Sequence, residues 1–486
     1  MARTVILGAG IAGHTAALHL RRMLGKQHEV IVVSPNSQWN WIPSNIWVGV
    51  GQMTTKQVLF PLAPVYQRKG ITFHQALATE LHGEGSVDQP NPYVTVRYTD
   101  PARKDEVGRI EYDYLINATG PKLNFAATPG LGPDGGNSWS VCTAGHAVEA
   151  NQALQQVFGA LKAGRRQTLL VGMGHGTCTC QGAAFEYTFN VEHELVKLGV
   201  RDLADVIYIT NEARLGDFGM DGMNFGHKGH VMSSQAFTES FFEERGVRAI
   251  LGAHIEAVQP GKVVYERLDG SKGEQSFDYA MLLPPFRGAD LTAFDRDGKD
   301  VTAQVFAPSG FMKVDADYTP KSYAEFRAAD WPRTYQSAIY DNVWAAGIAF
   351  APPHPMSEPR TTPNGTVITP APPRTGMPSG VIGRAVAQTI AERIKHGAAG
   401  RVHTASMAEQ GAACIASGGK GVLSGKAAAM TVYPIIPDKE KYGELGRDTS
   451  ETFGELGLSG HWMKVMLHYL FIYKAKARPL WYLIPE

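Results

Sequence analysis

Four cysteines are the residues in this chain best suited to redox chemistry. They are Cys142, Cys178, Cys180 and Cys414, in a chain of 486 residues. So few thiols do not make a disulfide scaffold, and a long chain with few thiols often uses them chemically. A thiolate attacks sulfur well, and its abundance depends on its pKa and surroundings. The alternative, that each is a small buried apolar side chain, stays open for any cysteine taken alone.

A glycine-rich turn near the N-terminus predicts a dinucleotide-binding unit. The apolar strand Arg3–Leu7 leads into Gly8, Ala9, Gly10, Ile11, Ala12 and Gly13, and a helical pattern and a second strand follow within about 30 residues. Gly8 permits the tight turn, Gly10 lets the backbone approach a pyrophosphate, and Gly13 lets the helix pack on the strand. The second strand ends in Ser34 and Pro35 instead of the usual carboxylate, so a hydroxyl would hold the ribose.

A second unit of the same kind predicts how the chain is divided. Strand 168–171, glycine turn 172–176, a helix over 183–198 and strand 206–210 repeat the pattern. Between the units, Ala118, Thr119 and Gly120 end an apolar strand as is typical of flavoproteins with two such domains, and Gly347 lies in the matching later strand. We predict an α/β fold with two Rossmann-like domains and a C-terminal membrane-binding helical region. Residues 1–160 and 300–395 would form the cofactor domain, 161–299 the second domain and 396–486 the C-terminal region.

Charge and hydropathy exclude several classes of protein. The 46 basic and 46 acidic residues cancel, so the whole-chain basic field of a nucleic-acid binder is missing. No apolar run reaches the roughly 20 residues that a transmembrane helix needs. The N-terminus reads as a strand, and no cleavable signal peptide is expected. No metal site is predicted.

Residues 352–378 contain nine prolines and cannot form a regular helix or a central strand. They read as a long, stiff surface loop, either an inert linker or a cover over the site. A helix is predicted over 378–395.

With these motifs in place, the chain resembles the sulfide:quinone oxidoreductases, within the wider disulfide-reductase-like flavoproteins with two dinucleotide-binding domains. The glycine and Ala-Thr-Gly motifs are shared by many flavoproteins, whereas three cysteines in these contexts are far more specific. The matching segments run through nearly the whole chain: 5–10, Pro43-Ser44-Asn45, 47–51, 112–123, Cys142 with His146, Cys180 with Glu186-Tyr187, 345–349, Thr375-Gly376 and Cys414.

The resemblance implies FAD as the cofactor, and it implies roles for the cysteines. Cys180 and Cys414 would lie on opposite sides of the flavin ring and take sulfur from sulfide. Cys142 would lie near the flavin edge, where some members carry a thioether link to FAD. Cys178 has no clear family counterpart; the spacing to Glu186 favours Cys180 as the working thiol, whereas alignment on the glycines favours Cys178.

The resemblance also assigns the groups that move protons and hold the cofactor. Glu186 would be the general base, its pKa raised by apolar surroundings, with a carboxylate on a helix surface as the alternative. His146 would relay protons on the quinone path, or would be a plain hydrogen-bonded histidine. Further cofactor contacts are expected at Pro43, Ser44, Asn45, Ile348, Arg374, Thr375 and Gly376.

Four departures from the family pattern stand out. Leu215-Gly216-Asp217 replaces a stretch that often carries a histidine, and Ile415 replaces an aromatic residue often found beside the third cysteine. The insert at residues 322–335 and the long proline-rich loop also look extra. An atypical subtype or a relative with a changed acceptor would explain them.

The C-terminal segment predicts contact with a membrane surface. Residues 461–473 are strongly apolar and are followed by Lys474, Lys476 and Arg478. A helical stripe of Trp462, Met466, Leu470 and Tyr473 would lie in the interface with the cations at the headgroups; docking in the core or in a subunit interface is the alternative. The expected protein is peripheral and homo-oligomeric, and it reduces a membrane quinone, ubiquinone or menaquinone, with electrons from sulfide.

Three rivals remain. A type II NADH:quinone oxidoreductase would need an open nicotinamide site at the turn 172–176 and would not need Cys180 or Cys414. The flavin subunit of a flavocytochrome-type sulfide dehydrogenase would normally carry an export signal. A flavin-binding redox sensor would lack a route to quinone.

Overall fold

The structure, a computed structural model, describes residues 1–227, 230–373, 376–419 and 426–486. Eleven α-helices lie in this part of the chain, and short 3₁₀ turns connect several of them. The helices are α1 (Ile11–Leu24), α2 (Asn45–Gly49), α3 (Thr55–Val58), α4 (Leu62–Lys69), α5 (Ala144–Lys162), α6 (Gln181–Lys197), α7 (Ser234–Arg245), α8 (Thr302–Val305), α9 (Gly376–His396), α10 (Lys439–Tyr442) and α11 (Leu458–Ala475).

The described strands number 24 and fall into seven sheets. They are β1 (Arg3–Leu7), β2 (Glu29–Ser34), β3 (Gln38–Asn40), β4 (Leu59–Pro61), β5 (Thr72–His82), β6 (Tyr93–Tyr98), β7 (Val107–Glu111), β8 (Tyr114–Asn117), β9 (Lys122–Leu123), β10 (Gln167–Met173), β11 (Ala204–Ile209), β12 (Asn224–His227), β13 (His230–Ser233), β14 (Arg248–Ile250), β15 (Ala253–Gln259), β16 (Lys262–Arg267), β17 (Lys272–Ser276), β18 (Tyr279–Leu283), β19 (Phe286–Arg287), β20 (Thr292–Phe294), β21 (Val343–Ala345), β22 (Ala412–Gly418), β23 (Lys426–Val432) and β24 (Gly454–Gly457).

The largest sheet holds the first glycine turn at the carboxyl end of its central strand. Its order is β21-β8-β1-β2-β5-β6-β7, with β20 also paired to β5. The strands from β21 to β5 are parallel, and Val5 and Ile6 of β1 are fully buried. The carboxyl ends of β1, β8 and β21 therefore meet at one edge, as a dinucleotide-binding sheet requires.

The second sheet repeats this arrangement on a smaller scale. Its four strands, β14-β11-β10-β18, are all parallel, and α6 follows β10 after the second glycine turn. The predicted α/β fold with two Rossmann-like units is therefore confirmed. The domain boundaries stay a prediction; β20 falls inside 161–299 but pairs with β5 of the first sheet.

The C-terminal region differs from the helical region that the sequence predicts. Three antiparallel strands, β22-β23-β24, form a sheet, and α11 packs against it where Gly460 meets Ala429. The helix predicted over 378–395 is present as α9.

Candidate functional site

The first glycine turn is open where a cofactor's phosphates would bind. Gly8 has φ +98°, and a Cβ there would lie 2.2 Å from the carbonyl oxygen of Ala118, so no side chain fits. A Cβ on Gly13 would lie 2.1 Å from the carbonyl oxygen of Gly8. By contrast, a Cβ on Gly10 would meet nothing within 4 Å, and Gly10 caps α1 without a side-chain hydrogen bond. The start of α1 is therefore open beside Gly10, and the N–H groups that begin a helix suit phosphate oxygens.

Neighbouring elements complete this opening. Thr119 donates its hydroxyl hydrogen to Asn117 Oδ1 at 2.8 Å at the end of β8. Gly347, after β21, has φ +66° and approaches Ala12 so closely that a Cβ would lie 2.7 Å from the Cβ of Ala12. The predicted residues that make these contacts, or adjoin in sequence those that do, are Gly8, Ala9, Gly10, Ile11, Ala12, Gly13, Ala118, Thr119, Gly120, Gly347, Ile348 and Gly376. They fit a dinucleotide such as FAD, whereas Arg374 and Thr375 lie outside the described residues.

Three of the remaining predicted cofactor contacts, Ser34, Ser44 and Asn45, have hydrogen-bond partners within the protein. Ser34 is buried and accepts a weak hydrogen bond from the Asn36 N–H at 3.4 Å, while Pro35 is exposed. Ser44 Oγ lies 2.8 Å from Nδ1 of His468 in α11. Asn45 exchanges two amide hydrogen bonds of 3.0 Å with Asn40. Contacts of Ser34, Pro35, Pro43, Ser44 and Asn45 with the cofactor stay predictions.

The second glycine turn is filled by protein. A Cβ on Gly174 would lie 2.6 Å from Cδ1 of Leu131, and one on Gly176 would lie 2.5 Å from the carbonyl oxygen of Val367. The N–H of Thr369 donates to the carbonyl oxygen of Gly176 at 2.9 Å. This turn therefore has no open N–H cradle like that beside Gly10.

The proline-rich segment covers this second turn. The N–H of Ala371 donates to the carbonyl oxygen of Cys178 at 3.0 Å, and the Thr179 hydroxyl donates to the carbonyl oxygen of Pro372 at 2.8 Å. Ile368 is buried. Of the two interpretations of residues 352–378, the inert surface linker is therefore wrong and the cover is favoured, because residues 367–372 pack on the turn that carries the cysteines.

Glu212 is a residue that the sequence reasoning missed. It lies three residues after β11, close to where a nicotinamide site holds the ribose with a carboxylate. Here its side chain is buried and accepts hydrogen bonds from the Phe218 N–H at 2.8 Å and from the Thr210 hydroxyl at 2.8 Å. Burial, reinforced by Asp217, raises the pKa of Glu212 to about 7. An acidic residue just after the second strand of a glycine unit was the signal that could have identified it.

Cys178 is a buried thiol held by the backbone. It is fully buried, and its Sγ–H donates to the carbonyl oxygen of Leu283 at 3.2 Å. Burial raises the pKa of Cys178 far above its ordinary value, and the neighbouring thiols Cys142 and Cys180 add to that shift. Burial likewise raises the pKa of Cys142 to about 12, again with Cys180 contributing. The three thiols therefore lie close enough to one another to interact electrostatically.

Cys180 differs from Cys178 in exposure and in backbone conformation. It is partly exposed and immediately precedes α6, with φ +72° and ψ 37°. A non-glycine residue in this left-handed region is strained, and such strain is concentrated at functional sites. The positive end of a helix also favours a negatively charged sulfur. These features favour Cys180 over Cys178 as the reactive thiol.

Cys414 lies in β22, where its backbone is opposite Met430 of β23, but its side chain lies outside what the structure describes. The same strand reaches the neighbourhood of Glu186 through Ser417. The pairing of Cys180 with Cys414 therefore stays a prediction.

Glu186 is buried in a polar network and not in apolar surroundings. Its carboxylate forms an ion pair with Lys464 of α11 and accepts hydrogen bonds from the Ser417 hydroxyl at 2.5 Å and the Ser417 N–H at 3.2 Å. Lys464 also donates to the carbonyl oxygen of Ile415, the residue after Cys414, at 3.0 Å. The expectation of apolar surroundings is wrong because α11 brings a cation to this carboxylate, and the helix-surface alternative is excluded by burial.

His146 lies in the first turn of α5. Its ring packs edge-on against Phe125 at 5.8 Å, and its Nε2 lies 3.9 Å from Oδ2 of Asp134. Asp134 is largely exposed, so this pair faces solvent on one side. A role for His146 in proton relay stays a prediction.

The helix α11 has its apolar face outside and its polar face inside. Trp462, Met466 and Tyr469 are 51%, 54% and 54% exposed, and Leu470 is also exposed. The side chains turned inward include those of His461, Lys464 and His468. In the described part of the chain, no helix is long and apolar enough to cross a membrane.

The basic end of α11 corrects one expectation. Lys474 is buried and pairs with Glu486 at 2.8 Å, so it is not a headgroup cation. Arg478 is exposed and stacks over the ring of Tyr473. The apolar stripe is thus present at Trp462, Met466 and Leu470. The predicted basic cluster loses Lys474, because that side chain is buried.

Comparison with known proteins places this chain in a family. The sequence model of the family described as pyridine nucleotide-disulphide oxidoreductase matches residues 2–284. The sulfide-quinone reductase of Aquifex aeolicus (strain VF5) is 27% identical over 472 residues, which cover 97% of this chain and 90% of that protein. The mitochondrial sulfide:quinone oxidoreductase of Mus musculus is 25% identical over 297 residues, 59% of this chain and 57% of that protein.

Solved structures show the same architecture. The crystal structure of the sulfide:quinone oxidoreductase from Aquifex aeolicus superimposes with a TM-score of 0.76 at 25% identity, covering 98% of this chain and 92% of that one. The NDH2 structure from Plasmodium falciparum in complex with NADH has a TM-score of 0.61 at 13% identity, covering 98% and 96%. The second likeness shows the fold alone.

Proposed function

This chain belongs to the pyridine nucleotide-disulphide oxidoreductase family and is an FAD-dependent oxidoreductase, and we propose that it oxidises sulfide and reduces a membrane quinone. The observation that carries the proposal is the contrast between the two glycine turns. The first is open beside Gly10, while the second is covered by residues 367–372 and leads into Cys180. A filled nicotinamide turn with an adjoining partly exposed thiol supports a sulfur donor in place of NADH.

The cysteines would do the sulfur chemistry. Sulfide, as HS⁻, attacks a disulfide between Cys180 and Cys414; a new S–S bond forms to one cysteine as a persulfide, and the other leaves as a thiolate. A second HS⁻ would attack the outer sulfur of that persulfide, form an S–S bond to it and release it as a hydrodisulfide, with the cysteine leaving as a thiolate. Re-forming the disulfide from the two cysteine thiolates would then give up two electrons. FAD, when bound, supplies the two-electron acceptor that links this oxidation to the quinone. The position of Cys180 at the start of α6 supports its role as the sulfur that carries negative charge.

Glu186 would take the proton that sulfide loses. Its contacts with Ser417 and Lys464 hold the carboxylate in one place. Because Lys464 also bonds to the backbone next to Cys414, the same lysine would fix the carboxylate relative to the β22 cysteine. Cys142 lies within the electrostatic reach of Cys180, which supports its expected place at the same centre.

The outer face of α11 would bind the membrane. Its exposed apolar side chains, together with exposed Ile42, Leu480 and Leu483, would each gain roughly 1.5 to 3 kcal/mol on burial in lipid. Ile42 is two residues from Ser44, and Ser44 contacts His468 of α11. The exposed Ile42 therefore lies in a segment that adjoins the exposed face of α11. The quinone would be ubiquinone or menaquinone, and the expected homo-oligomer stays a prediction.

The experiment is an anaerobic assay of purified protein with sulfide and a short-tailed quinone. Sulfide-dependent quinone reduction, with sulfane sulfur recovered in the product, is the expected result. Protein that contains FAD but transfers no electrons from sulfide to quinone would contradict the proposal.

A further inference from the structure

The last residues of the chain end in a buried carboxylate that joins two helices. Glu486 Oε1 lies 2.8 Å from Nζ of Lys474 and 2.9 Å from Nε2 of His19. The Glu486 side chain is 4% exposed, and its two partners are buried as well. Lys474 lies near the end of α11 and His19 lies in α1, so one carboxylate connects the helix with the apolar outer face to the helix that opens the cofactor site.

Both members of the Lys474–Glu486 ion pair have further hydrogen-bond partners. Lys474 also donates to the carbonyl oxygens of Ile484 at 2.7 Å and Pro485 at 3.0 Å. Burial lowers the pKa of Lys474. Burial acts to raise the pKa of Glu486, but His19 and Lys474 hold it below its ordinary value. Removing one partner would leave a charge buried without compensation, which is the costly way to break such a pair.

A third helix leaves room for the carboxylate. A Cβ on Gly380 of α9 would lie 3.2 Å from Glu486 Oε2, and one on Gly383 would lie 2.4 Å from the carbonyl oxygen of Ala12 in α1. The tail packs on α1 as well, because the Trp481 ring lies edge-on to His19 at 4.8 Å. The carboxylate therefore occupies a recess between α1, α9 and the end of α11.

We propose that Glu486 is a positioning residue that fixes α11 relative to the cofactor helix α1. The start of α1 faces the cofactor opening, the outer face of α11 is the proposed membrane surface, and Lys464 on its inner face reaches Glu186. Fastening α11 to α1 thus sets the distance and angle between the flavin and the membrane. The inference rests on the proposed function, since it assigns Glu486 to delivery of electrons to a membrane quinone and not to the oxidation of sulfide.

The test compares three variants of the buried pair: Glu486→Leu, Lys474→Met and the double variant that carries both changes. Glu409→Leu, which breaks the exposed ion pair with Arg333, is the control. In liposomes, Glu486→Leu is expected to lower turnover with a long-tailed quinone by at least about tenfold, because Lys474 is left buried and unpaired. Reduction of the bound flavin by sulfide should stay within about twofold, since Glu486 contacts Lys474, His19 and the Gly380 backbone and none of these belongs to the cysteine site. Hydrogen exchange over 458–486 should become faster.

The double variant distinguishes fastening from a chemical role of the charge. Replacing both partners of a buried ion pair by apolar side chains is often tolerated, so turnover and exchange protection should largely recover. Glu409→Leu should match wild type. Unchanged exchange and turnover in Glu486→Leu, or a double variant as impaired as Glu486→Leu, would overturn the proposal. Wild type that shows no sulfide-dependent turnover would refute the proposed function, while the exchange comparison would still test the fastening.

Discussion

The two glycine turns of this protein begin alike and end differently. Both follow the first strand of a parallel sheet and both precede a long helix. At Gly10 a Cβ would meet open space, whereas at Gly176 it would meet the carbonyl oxygen of Val367 at 2.5 Å. One turn keeps its backbone N–H groups available to a cofactor, and the other is filled by a segment from almost 200 residues further along the chain.

The difference shows that a glycine motif predicts a backbone shape and not a ligand. Gly174 and Gly176 are needed for close packing by Leu131 and Val367, as Gly8 and Gly13 are needed by the first turn. The position after the second strand also differs between the units, because neither presents a carboxylate to a ribose. In the first unit Ser34 stands in place of the carboxylate, and in the second the carboxylate of Glu212 is buried in the core. The second unit has kept the fold of a nucleotide domain while its turn carries thiols.

The largest expected effect separates the two cysteines after the second turn. Cys180→Ser should lower the rate of flavin reduction by sulfide by at least about a hundredfold, because a hydroxyl cannot replace the thiolate as nucleophile. Cys178→Ser is the matched control, and its rate should stay within about fivefold of wild type because a serine hydroxyl can also donate to the Leu283 carbonyl oxygen that the buried thiol bonds. Anaerobic stopped-flow absorbance measures both. An inactive Cys178→Ser beside an active Cys180→Ser would reverse the two roles.

A matched pair of glycine substitutions tests whether one turn binds a cofactor and the other does not. Gly10→Val should fold but lose FAD, because the new side chain would enter the open space that phosphates need. Gly176→Ala should keep FAD and lose about 1 to 3 kcal/mol of stability, since its Cβ would overlap the covering segment. Flavin content and urea denaturation measure these effects. Gly10→Val that retains bound FAD would show that the cofactor does not use this turn.

Much of the first unit was predictable, whereas the sequence left the cover over the second as one of two alternatives and did not identify its contacts. Local patterns identify the strands, glycine turns and α9, because each depends on neighbours in sequence. The contact of Pro372 with Thr179 and the pairing of Lys464 with Glu186 join residues far apart in the chain, and no periodicity reports such contacts. The sheet β22-β23-β24 was missed because β22 and β23 are rich in alanine and β24 begins and ends with glycine, residues of low β-propensity.

The properties of the C-terminal helix α11 were also predicted in part. Its apolar stripe is a local pattern and was predicted at Trp462, Met466, Leu470 and Tyr473, of which the first three are exposed and Tyr473 is half-buried. Lys474 looks like an interfacial cation from its place at the helix end, but Glu486 folds back onto it. Only the tertiary fold shows that this lysine is paired.

Protonation of Glu212 should make the filled unit sensitive to pH. Its folded pKa of about 7 lies above the ordinary 4.5, so unfolding releases a proton between these values. The free energy of unfolding should therefore fall as pH rises from 4.5 to 7, by about 3 kcal/mol, and stay lower above pH 7. Glu212→Gln should remove this slope and be more stable than wild type at pH 8 but not at pH 4.5. Urea titrations at several pH values measure it, and equal slopes for both proteins would contradict the assignment.

The smallest expected effect concerns the cover itself. Thr179→Val removes the hydroxyl bond to Pro372 and should cost about 1 kcal/mol of stability. A looser cover should speed the alkylation of Cys178 by a small thiol reagent severalfold, about 3 to 5 times, by local opening. Thr128→Val, which removes a hydroxyl bond to the Gly174 carbonyl on the other side of the turn, is the matched control. Equal alkylation rates in wild type and Thr179→Val would mean that the bond does not hold the cover.

The contrast between an open cofactor turn and a filled nicotinamide turn is tested most directly by the choice of electron donor. Purified protein with bound FAD is mixed anaerobically with sulfide in one experiment and with NADH in another, and the flavin absorbance is followed. Sulfide should bleach the flavin within one turnover, while NADH at the same concentration should leave it oxidised. Rapid bleaching by NADH, with none by sulfide, would contradict the account.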